Sequence, residues 1–173
     1  MGRLRGGHAP RPRGGEAKET FVDVAYRRTF PHDVARVYAW LTDYRDDDHE
    51  RAGAIVQRRT VLRREGDVVL LEGHNVTLGR HARGQAEVRL FPEERRWEAR
   101  ILSGNGRGSV YTYRLTPTPS GHARLEVHYK TCVRRLKGLL LLNLARPAIK
   151  REVARMWDGF AEAMEKDLAA QRS

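Results

Sequence analysis

One cysteine, Cys132, stands among 173 residues. That excludes an intramolecular disulfide framework and any cysteine-rich zinc site. No apolar run approaches the roughly 20 residues of a membrane span. No nucleophile-elbow, metalloprotease, P-loop or EF-hand motif is present. Zinc-finger spacing, an RRM-type aromatic signature and an obvious helix-turn-helix pair are also missing. The basic N-terminus runs into Gly, Pro and Arg without an apolar h-region. No secretory signal is therefore expected, and the cytoplasm is the expected compartment.

Apolar residues make up 40% of the chain, which argues against wholesale disorder. A mass of 19.8 kDa is enough for one domain burying about 70% of its unfolded surface. The net charge is +11, from 33 Lys and Arg against 22 Asp and Glu. Residues 1–20 contribute +3, and residues 134–155 contribute +6 through Arg134, Arg135, Lys137, Arg146, Lys150, Arg151 and Arg155 against Glu152. The positive charge is thus a tail plus one C-terminal patch. With no specific recognition signature, nucleic acid is an unlikely partner.

Residues 1–19, rich in Gly, Pro and Arg, read as a disordered basic tail. Residues 20–173 read as a single domain. TFVDVAYRRTF predicts a first strand. Val34, Val37, Tyr38 and Leu41 then step at helical spacing, with Pro31 suited to a first helical position and Asp33 to the positive end of the dipole. Residues 43–53, DYRDDDHERAG, are too polar for a core element and read as a loop or short surface helix.

From Ala54 to Arg135 short β-rich runs alternate with turn signals at Gly66, Pro92, Gly104 and Pro117. ARLEVHYKTCV alternates most cleanly: Leu125, Val127, Tyr129, Thr131 and Val133 on one face, charged residues on the other. That is a strand of an antiparallel sheet with one wet face. Cys132 falls outside the inward set and is expected to face out or pack at an edge. After Pro147, Ile149, Val153, Met156, Trp157, Phe160, Met164 and Leu168 step by three or four. They predict an amphipathic helix of about 24 residues, roughly 36 Å long. An antiparallel sheet with one apolar face needs a cover, and this helix is the only element long enough.

Candidates for chemistry are few. Gly104-Asn105-Gly106-Arg107-Gly108 is flanked by strands and reads as a hairpin turn, since a phosphate cradle needs a following helix. Asp46, Asp47, Asp48, His49 and Glu50 lack cation-site spacing and read as a solvated acidic segment. His74, Asn75 and His81 lie in mid-sheet, where a histidine can serve as acid or base near neutral pH, or be simply structural. No cofactor and no metal are expected.

The segments RTFPHDVARVYAWLTDY (28–44) and AIKREVARMWDGFAEAMEKDL (148–168), with the hairpin strands between them, resemble the START/polyketide-cyclase (SRPBCC) superfamily. This is the helix-grip fold of the major birch pollen allergen and plant abscisic-acid receptors. Leu41-Thr42-Asp43 stands where relatives carry Leu-x-Asp. Arg45-Asp46-Asp47-Asp48 replaces the Pro or Trp that many relatives place next. The resemblance covers residues 20–171.

It implies an α+β helix-grip fold: a curved antiparallel sheet of about six or seven strands around the long C-terminal helix. Two short helices would follow the first strand. It also implies an apolar cavity for lipids, sterols, polyketides, quinones or plant hormones, with cyclisation or aromatisation in some members.

In that fold the residues expected to face the cavity and bind ligand are Trp97, Ile101, Tyr111, Tyr113, Tyr129, Met156, Trp157, Phe160, Met164 and His74. Strand parity near 108–116 is open, because Val110 and Thr112 compete with Tyr111 and Tyr113. Each residue taken singly is also accounted for by ordinary packing. The expected partner is a hydrophobic small molecule; about 300 Å² of buried apolar surface would contribute roughly 7 kcal/mol before association costs. The alternative is a polyketide cyclase or aromatase using His74, His81 or Tyr113. Residues 134–151, RRLKGLLLLNLARPAIKR, either cap the core, form a dimer contact or sit at a membrane interface with their cations on anionic headgroups. No sequence feature defines the oligomeric state.

Overall fold

The computed structural model describes residues 20–45, 56–77, 80–104, 106–133 and 136–170, without side chains at 56–58, 75–77, 80–82 and 136–142. The expected tail at 1–19, the acidic segment 46–50 and the place of a second short helix lie outside the described residues.

Seven strands are present: β1 (Thr20–Phe30), β2 (Val56–Glu65), β3 (Val68–Thr77), β4 (Arg80–Phe91), β5 (Arg96–Ile101), β6 (Val110–Pro117) and β7 (Ala123–Val133). Two helices accompany them among the described residues, α1 (Val34–Thr42) and α2 (Leu136–Ala170). All strand pairs are antiparallel, in the order β1-β7-β6-β5-β4-β3-β2. Strands β2 to β7 form a meander, and β1 returns to pair with β7. The fold is the helix-grip α+β architecture.

Register sets which residues share a face. Val24 pairs with Tyr129, Tyr129 with Tyr111, Tyr111 with Ala99, and Ala99 with Val88. All stand on the concave, helix-covered side. The opposite side carries charge pairs such as Arg27–Glu126 at 3.0 Å and Arg83–Glu72 at 2.5 Å. Exposed pairs of this kind add solubility more than stability.

The expected first helix is present but starts differently. Asp33, not Pro31, defines its beginning: Asp33 is extended, and its Oδ1 accepts from the Arg36 amide at 2.9 Å. Pro31 precedes the helix in a bend. The Arg64 guanidinium closes the other end, donating to the Asp43 carbonyl at 2.7 Å. Cations suit a helix C-terminus.

The last helix is longer than expected. It runs 35 residues, about 52 Å, and passes through Pro147 rather than starting there. Pro147 has no N–H for the Asn143 carbonyl, but the residues before it are strong helix formers and the proline is solvent-exposed. The helix backbone lies over β1 and β7. Arg28 on β1 reaches Asp158 on α2 at 2.5 Å, and Arg146 donates to the Asp23 carbonyl.

The strand directions put α1 and the end of α2 at one end of the sheet. There Phe30, Val37, Trp97, Leu115, Leu125 and Met164 are buried. Polar contacts fasten the same end. Trp40 Nε1 donates to Asp167 at 2.9 Å, Arg45 pairs with Asp167 at 2.8 Å, and His32 meets Glu165 at 2.6 Å. The other end gathers the end of β3, the start of β4 and the start of α2.

Two glycines permit a close crossing at that second end. A Cβ on Gly84 would stand 2.8 Å from the Ser103 carbonyl oxygen, and one on Gly104 (φ +78) 2.6 Å from that of Arg83. Leu102 N then reaches Gln85 O at 2.8 Å, tying the β5–β6 loop to β4. This segment is a strand connection, as its flanking strands indicated.

Met164→Ala is expected to lower stability by about 2–5 kcal/mol, read by urea denaturation, because the site is closed on all sides. Asp33→Ala should cost about 1 kcal/mol. The amide donor holds the Asp33 carboxyl below its usual range. Its contribution is therefore full above about pH 4 and lost as pH falls through the lower folded value. The difference between wild type and Asp33→Ala should shrink in acid; a constant difference down to unfolding would contradict the cap.

Candidate functional site

The middle of the concave face is a connected set of rings. Trp97 on β5 stacks on Tyr113 of β6, centroids 4.9 Å apart and planes 6° from parallel. Cross-strand pairing places them side by side. Tyr38 of α1 meets Trp97 edge-on at 5.8 Å. Tyr113 meets Trp157 of α2 at 6.0 Å and Tyr129 of β7 at 6.1 Å; Tyr129 meets Tyr111 at 5.0 Å. Tyr111 and Tyr113 thus take the inward parity, with Val110 and Thr112 on the other side.

Burial divides the residues expected at a cavity. Trp97, Trp157, Phe160 and Met164 are buried in the core. Ile101, Tyr111, Tyr113, Tyr129 and Met156 keep accessible surface. For the three tyrosines this coincides with hydroxyls pushed upward in pKa by burial, Tyr113 and Tyr129 furthest. They stand half-buried on the concave face, packed against the core.

His74 does not join them. It follows the inward-facing Gly73 in β3, so alternation sends it to the charged side, where it is exposed beside Glu72 and Arg83. The side chains of Asn75 and His81 lie outside the described residues. Cys132 is buried although it stands on the face opposite Tyr129 and Thr131.

The polar groups of the concave face are few. Trp157 Nε1 donates to the Tyr129 hydroxyl at 3.2 Å. The Tyr113 and Tyr129 rings meet edge-on at 6.1 Å, and those of Tyr111 and Tyr129 at 5.0 Å. Ser109, fully buried, accepts from the Cys132 amide at 2.9 Å.

Arg59 is the addition that the sequence reading missed. It pairs with inward-facing Gly73, lies over the Tyr44 ring at 5.7 Å, and its charge acts on Tyr113 and Tyr129. The signal was the parity of Val61, two residues on. Bulges at Gln57 and Leu62 obscured it, since each shifts the register of β2 by one.

All three tyrosines remain protonated near neutral pH. They can donate to a carbonyl or hydroxyl oxygen and cannot take a proton from carbon. No group of three or more His, Cys, Asp or Glu that could hold a metal ion occurs among the described residues. No helix among them is long and apolar enough to cross a membrane.

A curved antiparallel sheet closed by one long helix over an aromatic wall defines a START-like helix-grip protein. Within that class, the sequence model of the polyketide cyclase / dehydrase and lipid transport family matches residues 22–165, and the chain belongs to that family. Solved structures share the fold. A protein of Thermus thermophilus superposes with a TM-score of 0.73 at 21% identity, over 86% of this chain and 99% of that one. The Zhui aromatase/cyclase of Streptomyces gives 0.73 at 13%, over 86% and 96%. A START superfamily protein of Mycobacterium smegmatis gives 0.67 at 14%, over 82% and 98%. No curated protein sequence matches the chain.

Tyr129→Phe removes the acceptor of the Trp157 N–H and is expected to cost about 1–3 kcal/mol in denaturant unfolding. A cost near zero would mean that water already serves that N–H. In ultraviolet titration the folded protein should hold Tyr111, Tyr113 and Tyr129 un-ionised above about pH 10. Their raised values contribute stability below that pH, and it is lost as pH rises further.

Proposed function

We propose that the chain binds a hydrophobic small molecule, lipid, quinone or polyketide-like, between the concave sheet and α2. The observation that carries this reading is the row of Tyr111, Tyr113 and Tyr129, half-buried on the concave face where Trp157 of α2 meets them. Bulky rings frame the space, while Tyr113 and Arg59 supply one neutral and one charged donor to orient an oxygen of the ligand.

The test is native mass spectrometry of purified protein, followed by organic extraction. One equivalent of lipid, quinone or polyketide-like material is the expected release. Protein that carries nothing and also fails to bind a fluorescent fatty-acid or quinone probe would overturn the reading.

A cyclase or aromatase reading is favoured by one feature, the convergence of Arg59 and Tyr113 on the same wall. Ring closure by attack on a ketone moves negative charge onto the ketone oxygen, and two fixed donors there would lower the barrier. His74, on the charged side, takes no part. If this reading holds, Arg59→Gln or Tyr113→Phe should slow turnover of a polyketide-like substrate about 10²–10³-fold with modest loss of binding. A ligand returned chemically unchanged from prolonged incubation would leave only the binding role.

A further inference from the structure

We infer that the outward face of the first third of α2 is a docking surface for an anionic lipid bilayer. Leu144 is 81% exposed; the other exposed large hydrophobics among the described residues, Leu62 and Leu102, are 46% and 38% exposed. Pro147 and Ala148, at i+3 and i+4, are exposed as well and extend the same stripe. One turn before Leu144 the helix register places positions 140 and 141, both leucine. Lys137 and Arg151 fall seven residues either side of Leu144. Residues 134–151 contain six cations, Arg134, Arg135, Lys137, Arg146, Lys150 and Arg151, and no Asp or Glu.

An apolar stripe bracketed by cations matches a surface that is apolar inside and anionic outside. Leucines enter the boundary of headgroups and acyl chains about 5–10 Å deep, and each nearby cation adds about 1 kcal/mol. A second copy of this chain fits less well. Two-fold antiparallel pairing through the same face would set Lys137 against Arg151 of the copy, like charge against like. The surface begins beside the end of β7, at the end of the sheet opposite α1, and does not depend on what the cavity holds.

The test is sedimentation of the full chain with phosphatidylcholine vesicles, with and without about one-third phosphatidylglycerol. Wild-type protein is expected to pellet with the anionic vesicles only, and to be released by high salt. Leu144→Glu should weaken partitioning about tenfold or more, as should Lys150→Glu with Arg151→Glu. Because Leu144 touches little, Leu144→Glu should keep the wild-type melting temperature and its binding of a fluorescent fatty-acid probe in solution. Failure to pellet with anionic vesicles, or equal pelleting of Leu144→Glu, overturns the inference. So does a wild-type dimer that Leu144→Glu converts to monomer, which would assign the face to a second copy.

Discussion

A seven-stranded sheet is about 29 Å wide, and one helix with its side chains covers about 10–12 Å of it. The rest of this structure follows from that mismatch. An apolar face too wide for its cover must curl, recruit a second cover or leave space. This chain curls its sheet and recruits a second cover. The concave side wraps α2 along β1 and β7, α1 closes one end with Trp40 and Tyr38, and the middle is left to rings that touch by edges and faces. The packed end and the accessible tyrosines are two outcomes of one geometric shortage.

The chemistry of the wall is as narrow as its shape. Hydroxyls held neutral by burial and the Arg59 guanidinium can each donate, and the Tyr129 hydroxyl also accepts from Trp157. Such a lining suits a largely apolar molecule bearing one or two acceptor oxygens. The Asp158 carboxylate that α2 sets against β1 is tied to Arg28 at 2.5 Å. Any reaction here would therefore rest on orientation and on stabilising charge at oxygen, the two tasks that a rigid aromatic cage with fixed donors performs well.

The alternation in LEVHYKTCV and the step of Met156, Phe160 and Met164 made the sheet and helix readable, because each pattern has one dominant period. Reading failed where a local feature broke the period. Two bulges in β2 hid Arg59, and the Gly73 parity that turns His74 outward carries no side chain to announce it. Pro147 looked like a helix start because helix interiors seldom hold proline; the run of leucines before it outweighed that rule. Pro31 lost its place to Asp33, whose carboxylate makes a bond that proline cannot. Tyr111 and Tyr113 were ambiguous along the strand, and only the cross-strand partner Trp97 decides their direction.

The pairing of the first strand with the last has a consequence for the order in which the chain is built. Strands β2 to β7 meet neighbours a few residues away, so their hairpins close with little entropy loss. Strand β1 instead pairs Thr20 with Val133 and Phe30 with Ala123. During synthesis it leaves the ribosome first and waits for about a hundred further residues, on the order of 5–20 seconds. Throughout that interval Val22, Val24 and Phe30 have no partner strand and no helix above them. The segment that ends up as the rim of the sheet is thus the longest exposed in the nascent chain, and its charged neighbours Asp23, Arg27 and Arg28 are the groups that keep it in solution until β7 arrives.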